Sequence, residues 1–293
     1  MPLTTVTTIE ELRRRLDSAR AAGRRVGFVP TMGYLHAGHA SLMAAARIDT
    51  DVVVVSIFVN PLQFSAGEDL DAYPRDLAGD TALAEGEGVD LLFVPSTSEM
   101  YPDGAMRTSV SVAEVAEPLE GRTRPAHFAG VATVVAKLFA IVGPCRAYFG
   151  EKDFQQVAVV RQMVGDLSLP VEVVACPTHR EPDGLAMSSR NAYLTVEERA
   201  AAPVVHAALL VGRMAIDAGE RDPARVRALM TDLIAAEPLT RLDYAEVVAA
   251  DTLQVVAPLQ GRLRLVAAVR FGRARLIDNL AAEVASADGP AAD

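Results

Sequence analysis

Asp51–Val59 reads DVVVVSIFV, an apolar run interrupted only by Ser56 once its opening aspartate is passed. A strand with one wet face alternates apolar and polar residues. A run that is apolar on both faces belongs to a strand covered on each side, as in a parallel sheet between helix layers. The neighbouring segments fit that setting. Upstream, Thr8–Ala22 places Ile9, Leu12 and Leu16 at helical spacing, with Thr8 and Glu11 as a capping box and Gly23 as the stop. Arg25–Pro30 (RVGFVP) predicts a short strand stopped by its proline, and a helix from about Gly38 to Ile48 returns the chain to Asp51. Downstream, a polar loop leads to a helix over Leu77–Glu87, a strand over Asp90–Val94 and a further short strand at Val110. Gly130–Val142 then predicts an apolar helix, Arg146–Phe149 a strand, Phe154–Asp166 a helix and Val171–Ala175 a strand. Strand and helix in alternation specify an α/β fold, a Rossmann-like doubly wound parallel sheet, in which ligands sit beyond the carboxyl ends of the strands.

Beyond Thr195 the texture changes. Two Ala-rich helices, Val196–Ala218 and Pro223–Ala236, precede strand-like segments at Leu242–Val248, Leu263–Phe271 and Arg275–Asp278, with Gly272 in a tight turn. This pattern predicts a second, smaller α+β domain at the C-terminal side. The expected division is 1–178 for the parallel-sheet domain, 179–287 for the smaller one and 288–293 for a frayed tail.

The totals narrow the function classes. With 293 residues, 51% hydrophobic and 23% charged, the chain can bury a core. There is no Trp and aromatics are 5%, so that core is built mainly from Ala, Val and Leu. A formal net charge of -10 argues against a sequence-independent grip on nucleic acid, which needs concentrated Lys and Arg. Cys145 and Cys176 show no metal-ligand spacing, so two free thiols in a reducing compartment are expected. The N-terminus MPLTTVTTIEELRRRL lacks a signal-peptide run, and no uncharged apolar stretch reaches about eighteen residues. A cytoplasmic protein that does not cross a membrane is the expectation.

The first predicted strand is followed by PTMGYLHAGH, Pro30 to His39. It contains neither GxGxxG nor GxxxxGK[ST], so neither a dinucleotide fingerprint nor a P-loop is present. What it offers is a strand-to-helix turn with two glycines and an HxGH at the helix entrance. Gly33 and Gly38 allow backbone N–H groups close to a ligand, and a helix N-terminus favours phosphate. His36 and His39 can add imidazole donors, and the positive helix end is expected to bring the titration of His39 near the working range. The alternative is that each histidine only satisfies a local hydrogen bond. A zinc site needs a third ligand and an unbroken HExxH-like helix, which Gly38 interrupts.

PTMGYLHAGH resembles the HxGH signature of the nucleotidyltransferase superfamily in the form carried by pantothenate synthetases (pantoate–β-alanine ligases). The resemblance continues in order through SIFVNPLQF (Ser56–Phe64), EDLDAYPRD (Glu68–Asp76), RPAHFAGVATVVAKLF (Arg124–Phe139), FGEKDFQQ (Phe149–Gln156) and DGLAMSSRNAYL (Asp183–Leu194), and RLIDN (Arg275–Asn279) resembles the family's C-terminal strand. It implies an ATP-dependent ligase that joins pantoate to β-alanine through a pantoyl-adenylate, with ATP as substrate, Mg²⁺, and a homodimer. Under it, His39, His36 and Lys152 are the expected catalytic residues, with His39 at the family's proton-donor position. The ATP-binding set extends over Pro30, Thr31, Met32, Gly33, Tyr34, Leu35, His36, Gly38, His39, Gly150, Glu151, Lys152, Asp153, His179, Met187, Ser188, Ser189 and Arg190. Gln63, Gln156, Asn60, Met32, Phe64 and His127 are implied on the pantoate and β-alanine side. Asp153 and Asp80 are the candidate metal carboxylates, although spacing alone makes Asp80 a solvated helix residue.

Bland readings stand beside these. Lys152 and Asp153 also read as a helix-entry charge pair, Ser188–Asn191 as a turn before the helix capped at Thr195, and His127 as a cap. Cys145 stands where many relatives are expected to carry an acidic residue. Two other functions compete with the ligase: a nucleotidyltransferase acting on another small acid or phosphate, and a nucleotide-binding module without turnover. Neutral Gln63 and Gln156 weigh against a phosphorylated substrate, which favours Arg or Lys; the intact HxGH, Lys152 and Arg190 weigh against a silent module.

Overall fold

Parallel strands cannot be joined by tight turns, so each needs a long crossover. The computed structural model describes residues 2–64, 70–104 and 106–285. It divides into two compact units, Met1–Pro177 and Thr178–Asp293. The first unit runs β1 (Thr4–Val6), α1 (Ile9–Ala21), β2 (Val26–Thr31), α2 (Ala37–Asp49), β3 (Val52–Ile57), α3 (Leu77–Gly86), β4 (Leu91–Phe93), α4 (Thr97–Met100), α5 (Glu120–Thr123), α6 (His127–Val142), β5 (Cys145–Gly150), α7 (Phe154–Asp166) and β6 (Val171–Cys176). Its strands form one parallel sheet in the order β1-β4-β3-β2-β5-β6.

That order decides where chemistry can occur. From β2 the chain moves one way to β3 and β4, then returns to the other side of β2 for β5 and β6. The switch lies between β2 and β5, so the loops leaving their carboxyl ends diverge and leave a crevice. The composition of β3 suits its central place: Val52, Val53, Val54 and Val55 are all buried. Phe28 of β2 is fully buried, meeting Phe139 of α6 edge-on at 6.4 Å, and Phe139 meets Phe149 of β5 at 6.4 Å.

The second unit contains α8 (Val196–Ala201), α9 (Val204–Asp217), α10 (Pro223–Ala235), β7 (Thr240–Ala249), β8 (Gly261–Phe271) and β9 (Ala274–Val284). β7, β8 and β9 form an antiparallel sheet in chain order. Leu209 and Ile216 of α9 and Met230 of α10 share its apolar core with Leu265 and Val269 of β8. By length and composition Val196–Asp217 could cross a membrane, but the helix breaks around Ala202 and Pro203, and Val205, Leu209 and Ile216 are buried in that core.

Several local expectations need correction. Thr8 accepts the Glu11 N–H, but the Glu11 carboxylate pairs with Arg15 at 2.8 Å, so only half of the capping box forms. Pro30 does not stop β2: its pairing with β3 continues to Thr31, and only the β5 side ends early, at Phe28. Val110 is not in a strand; its N–H reaches Thr133 Oγ1 on α6 at 2.9 Å. The strand β1 gives no sequence signal, because three residues are too few for a periodic pattern. The last strand runs to Val284 rather than Asp278. Part of the polar loop, residues 65–69, and the expected tail, 288–293, lie outside the described residues.

Emptying the space of a fully enclosed ring removes its transfer energy and leaves a cavity. Phe28→Ala is expected to cost about 3–5 kcal/mol of stability in chemical denaturation; a loss below about 1 kcal/mol would contradict the packing described around β2.

Candidate active site

The turn after β2 is built from unusual backbone. Gly33 has φ 82 and Tyr34 φ 52. A Cβ at Gly33 would approach Asp80 Oδ2 and Ile57 to 2.9 Å each, so glycine is required on both conformational and spatial grounds. Tyr34 is not a glycine and is held there by a partner. Asp80 of α3 accepts the Tyr34 N–H at 2.9 Å through Oδ2 and the Leu35 N–H at 2.6 Å through Oδ1. Thr31 Oγ1 accepts the Gly33 N–H at 3.2 Å and donates to Ser56 O at 2.7 Å, tying the turn to β3.

Asp80 is therefore not a solvated helix carboxylate. It is 3% exposed, and both its oxygens are engaged by backbone N–H groups. Burial raises its pKa, the two hydrogen bonds oppose that, and the Asp76 charge adds to the rise.

The two histidines close a reciprocal cap on α2. His36, the N-cap, accepts the Gly38 N–H at Nδ1 (3.1 Å), and His39 Nδ1 accepts the His36 N–H (3.3 Å). Their ring centroids are 4.1 Å apart. An Nδ1 that accepts a hydrogen bond carries no proton, so each ring is the neutral Nε2–H tautomer. The titration of His39 is pushed down to about 3, first by desolvation, then by His36; Asp153 raises it and Lys152 lowers it. His39 thus does not titrate near the working range, because desolvation and a second imidazole outweigh the carboxylate.

Asp153 and Lys152 come from the end of β5. Gly150 leads into the short 3₁₀ turn Glu151–Asp153, where Lys152 Nζ lies 3.2 Å from Asp153 Oδ1. The charges of both residues reach His39, so the loops after β2 and β5 face each other across the crevice at the switch point. In α7, Gln155 is buried, donating to Val115 O (2.9 Å) and Pro118 O (2.7 Å) and accepting the Glu120 N–H (3.1 Å). Gln156 beside it is half-buried.

The loop after β3 completes this side. Asn60 caps the 3₁₀ turn Pro61–Gln63 and accepts the Leu62 N–H at 3.2 Å and the Tyr101 O–H at 2.7 Å. Its amide nitrogen donates to Gly130 O (3.2 Å) and Gln63 Oε1 (3.3 Å). Asn60, expected to touch a ligand, commits its amide to the protein and is 1% exposed. Gln63 Nε2 donates to Met32 Sδ at 2.8 Å, joining the loops after β2 and β3. The Gln63 carbonyl receives His127 Nδ1 at 2.9 Å and Arg124 at 3.3 Å, so His127 braces the Gln63 backbone. Phe64 packs edge-on against Tyr73 at 6.0 Å.

His179, Met187, Ser188, Ser189 and Arg190 belong to the second unit. The Met187 N–H donates to His179 O at 3.0 Å, and Ser188 accepts the Arg190 N–H at 3.3 Å as the N-cap of a 3₁₀ turn, Ser189–Tyr193. Arg180 grips Asp278 of β9 through two bonds of 2.6 and 3.0 Å and also donates to Gly184 O, which pins this loop to its own sheet. Sequence reasoning missed Tyr101 and the clamp made by Asp80. Neither carries a local signal, since their partners lie 41, 45 and 46 residues away in the chain.

Known proteins resemble this chain over nearly its whole length. The family model described as Pantoate-beta-alanine ligase matches residues 4–281. A pantothenate synthetase of Heliobacterium modesticaldum is 54% identical over 95% of this chain and 99% of its own length, and one of Caldicellulosiruptor bescii is 49% identical over 95% and 98%. The crystal structure of pantothenate synthetase from Thermus thermophilus superposes with a TM-score of 0.90 at 51% identity, covering 96% of this chain and 99% of that one. Pantoate-beta-alanine ligase from Francisella tularensis, complexed with Beta-gamma ATP and Beta-alanine, gives 0.78 at 35% identity over 95% and 97%. The HxGH turn, the switch-point crevice and a match along nearly the whole chain lead to one assignment: this chain belongs to the pantoate–β-alanine ligase family.

Proposed function

We propose that the chain condenses pantoate with β-alanine at the expense of ATP, forming pantothenate through a pantoyl-adenylate. A pantoate carboxylate oxygen attacks the α-phosphorus of ATP, the bond to the β-phosphate bridging oxygen breaks, and pyrophosphate leaves. The β-alanine amine then attacks the acyl carbon, the amide bond forms, the amine gives up a proton, and AMP departs.

One observation carries this reading: two neutral imidazoles, locked by their own backbone cap, stand at the N-terminus of α2 beside the switch point. Each carries its proton on Nε2 and can donate to phosphate oxygens without a change of protonation. The departing pyrophosphate gathers charge in the transition state, and donors already in place stabilise it there. Lys152 adds a point charge, and the hydroxyls of Ser188 and Ser189 and the guanidinium of Arg190 are of the type that holds phosphate. We also assign Pro30–Leu35, Gly38, Gly150–Asp153, His179 and Met187 to the nucleotide.

Pantoate is oriented by Gln63 and Gln156, with Met32 and Phe64 against its apolar end. A neutral amide aims a carboxylate while leaving its charge available, whereas an arginine would stabilise the nucleophile before it reacts. Asn60 and His127 position Gln63 rather than touch the acid.

Mg²⁺ would enter with ATP as part of the substrate and would need few protein ligands, since phosphate and water suit it. Among the described residues no cluster of three His, Cys, Asp or Glu forms a metal cage. Asp153, whose charge reaches His39, is the carboxylate we assign to the ion or the ribose, since both Asp80 oxygens are engaged. Two buried free thiols, Cys145 and Cys176, fit a reducing compartment, and we place the enzyme in the cytoplasm. The family resemblance supports a homodimer; a solution mass of twice the 31.1 kDa chain is expected from light scattering, and a monomeric mass would refute it.

Pyrophosphate release is expected with ATP and pantoate alone, and AMP release only once β-alanine is added. AMP appearing without β-alanine, or pyrophosphate release that requires it, would overturn the order of steps. His39→Ala and Lys152→Ala are each expected to slow adenylate formation roughly 10²–10³-fold, with near-wild-type turnover in the folded variants as the contrary result.

His39 is also expected to hold the Nε2–H tautomer across about pH 5 to 8 in nitrogen NMR, and an imidazolium signal in that range would contradict the cap. Between the ordinary value of 6.5 and about 3 the unfolded chain holds more protons at this site. The contribution of His39 to stability is thus complete above 6.5 and is lost as pH falls toward about 3.

A further inference from the structure

The amide of Gln63 has two ends of opposite polarity, and only one end suits an anionic partner. A carboxylate needs the N–H end; the carbonyl end would repel it. Side-chain amides are nearly symmetric in shape, so something must fix which end faces the crevice.

The network around Asn60 does so without ambiguity. The Leu62 N–H can only donate and the Gly130 carbonyl can only accept, so Asn60 must place Oδ1 on the first (3.2 Å) and Nδ2 on the second (3.2 Å). With Oδ1 so placed, the Tyr101 hydroxyl at 2.7 Å must act as donor. The remaining Asn60 N–H then points at Gln63 and can be met only by Oε1, at 3.3 Å. The Gln63 carbonyl end is thereby occupied, and its N–H₂ end is turned toward Met32 Sδ, itself on the loop after β2. Every member is enclosed: Asn60 is 1%, Tyr101 4% and Gln63 8% exposed. Gly130 permits the approach, since a Cβ there would come within 2.2 Å of Leu62 O. Burial pushes the Tyr101 hydroxyl up to about 12, so it keeps its proton and its role as donor.

We propose that Tyr101 is a positioning residue that sets the donor polarity of Gln63 toward the acid substrate, acting through Asn60. The inference rests on the reading that Gln63 orients pantoate. Tyr101 touches no reacting atom; its hydroxyl begins a one-way chain from Tyr101 to Asn60 to Gln63 that ends in an N–H aimed at a carboxylate. Without that hydroxyl, Asn60 keeps only the Leu62 N–H on Oδ1, and rotation of the two amides becomes less costly.

The test compares steady-state kinetics of Tyr101→Phe, Gln63→Ala and the double variant, with thermal melting recorded alongside. Tyr101→Phe is expected to raise KM for pantoate about tenfold while KM for ATP stays within about twofold. In the Gln63→Ala background, Tyr101→Phe is expected to add no further loss in kcat/KM for pantoate, a non-additivity that general destabilisation would not produce. Unchanged pantoate kinetics in Tyr101→Phe, or additive losses in the double variant, would overturn the relay. Normal pantoate kinetics in Gln63→Ala would instead sink the reading of Gln63, and the relay with it. If Tyr101→Phe fails to fold, Asn60→Asp keeps the shape but removes the N–H that holds Gln63 Oε1. That variant is expected to show the same selective loss for pantoate, and normal kinetics there would refute the relay.

Discussion

The turn between β2 and α2 keeps its shape because the Asp80 carboxylate holds the Tyr34 and Leu35 N–H groups at 2.9 and 2.6 Å. Tyr34 has φ 52, a conformation a residue with a side chain does not hold without external support. Hydrogen bonds to a charged group typically contribute about 1.5–3 kcal/mol each, yet the Asp80 pKa is raised, because burial, with the Asp76 charge adding to it, opposes the two N–H groups. The clamp is therefore a specification of geometry more than a source of stability. It fixes where α2 begins, and with it where His36 and His39 stand.

From that fixed start the chemistry follows with little further machinery. The cap uses Nδ1 of both histidines and leaves their protons on Nε2. The low titration of His39 keeps its ring neutral, so this donor holds one charge state through the neutral pH range. Positive charge comes from Lys152, partly balanced by Asp153 at 3.2 Å. On the proposed acid side the amides of Gln63 and Gln156 are themselves uncharged, and the one cation bonded to Gln63, Arg124, meets its backbone carbonyl rather than its amide. A field arranged in this way favours negative charge on the departing phosphates over negative charge held on the nucleophile, which is the difference a transfer reaction needs. The topology contributes as well. β2 lies between β3 and β5, so the loop bearing Gln63 and the loop bearing Lys152 flank the HxGH turn from opposite sides.

How much of this could be read in the sequence depended on whether the cause was local. The valine run of β3 declared a strand covered on both faces, and the alternation of elements declared the doubly wound sheet; both patterns repeat over short windows. PTMGYLHAGH declared a glycine-dependent turn with a pair of imidazoles, and the ordered blocks after it pointed to the family. The two interactions that set the geometry of the site were not legible. Asp80 looked like a solvated helix carboxylate, and only the fold brings it under Tyr34 and Leu35, 46 and 45 residues away. Asn60 looked like a ligand because it sits in a binding loop, but its amide holds Tyr101, Leu62, Gly130 and Gln63. The titration expected for His39 fails for a related reason: the helix end is local, whereas desolvation, the largest cause of its low value ahead of the neighbouring His36, arises only on folding.

The central claim is that neutral imidazoles hold the phosphates while uncharged amides aim the acid at the innermost phosphorus. A crystal structure with pantoate and a non-hydrolysable ATP analogue bound together tests it most directly. The account predicts β- or γ-phosphate oxygens within hydrogen-bond distance of Nε2 of His36 and His39, and the pantoate carboxylate on the amide nitrogens of Gln63 and Gln156, facing the α-phosphorus. A triphosphate bound away from both imidazoles, or a carboxylate held by a basic side chain instead of the two amides, would contradict it.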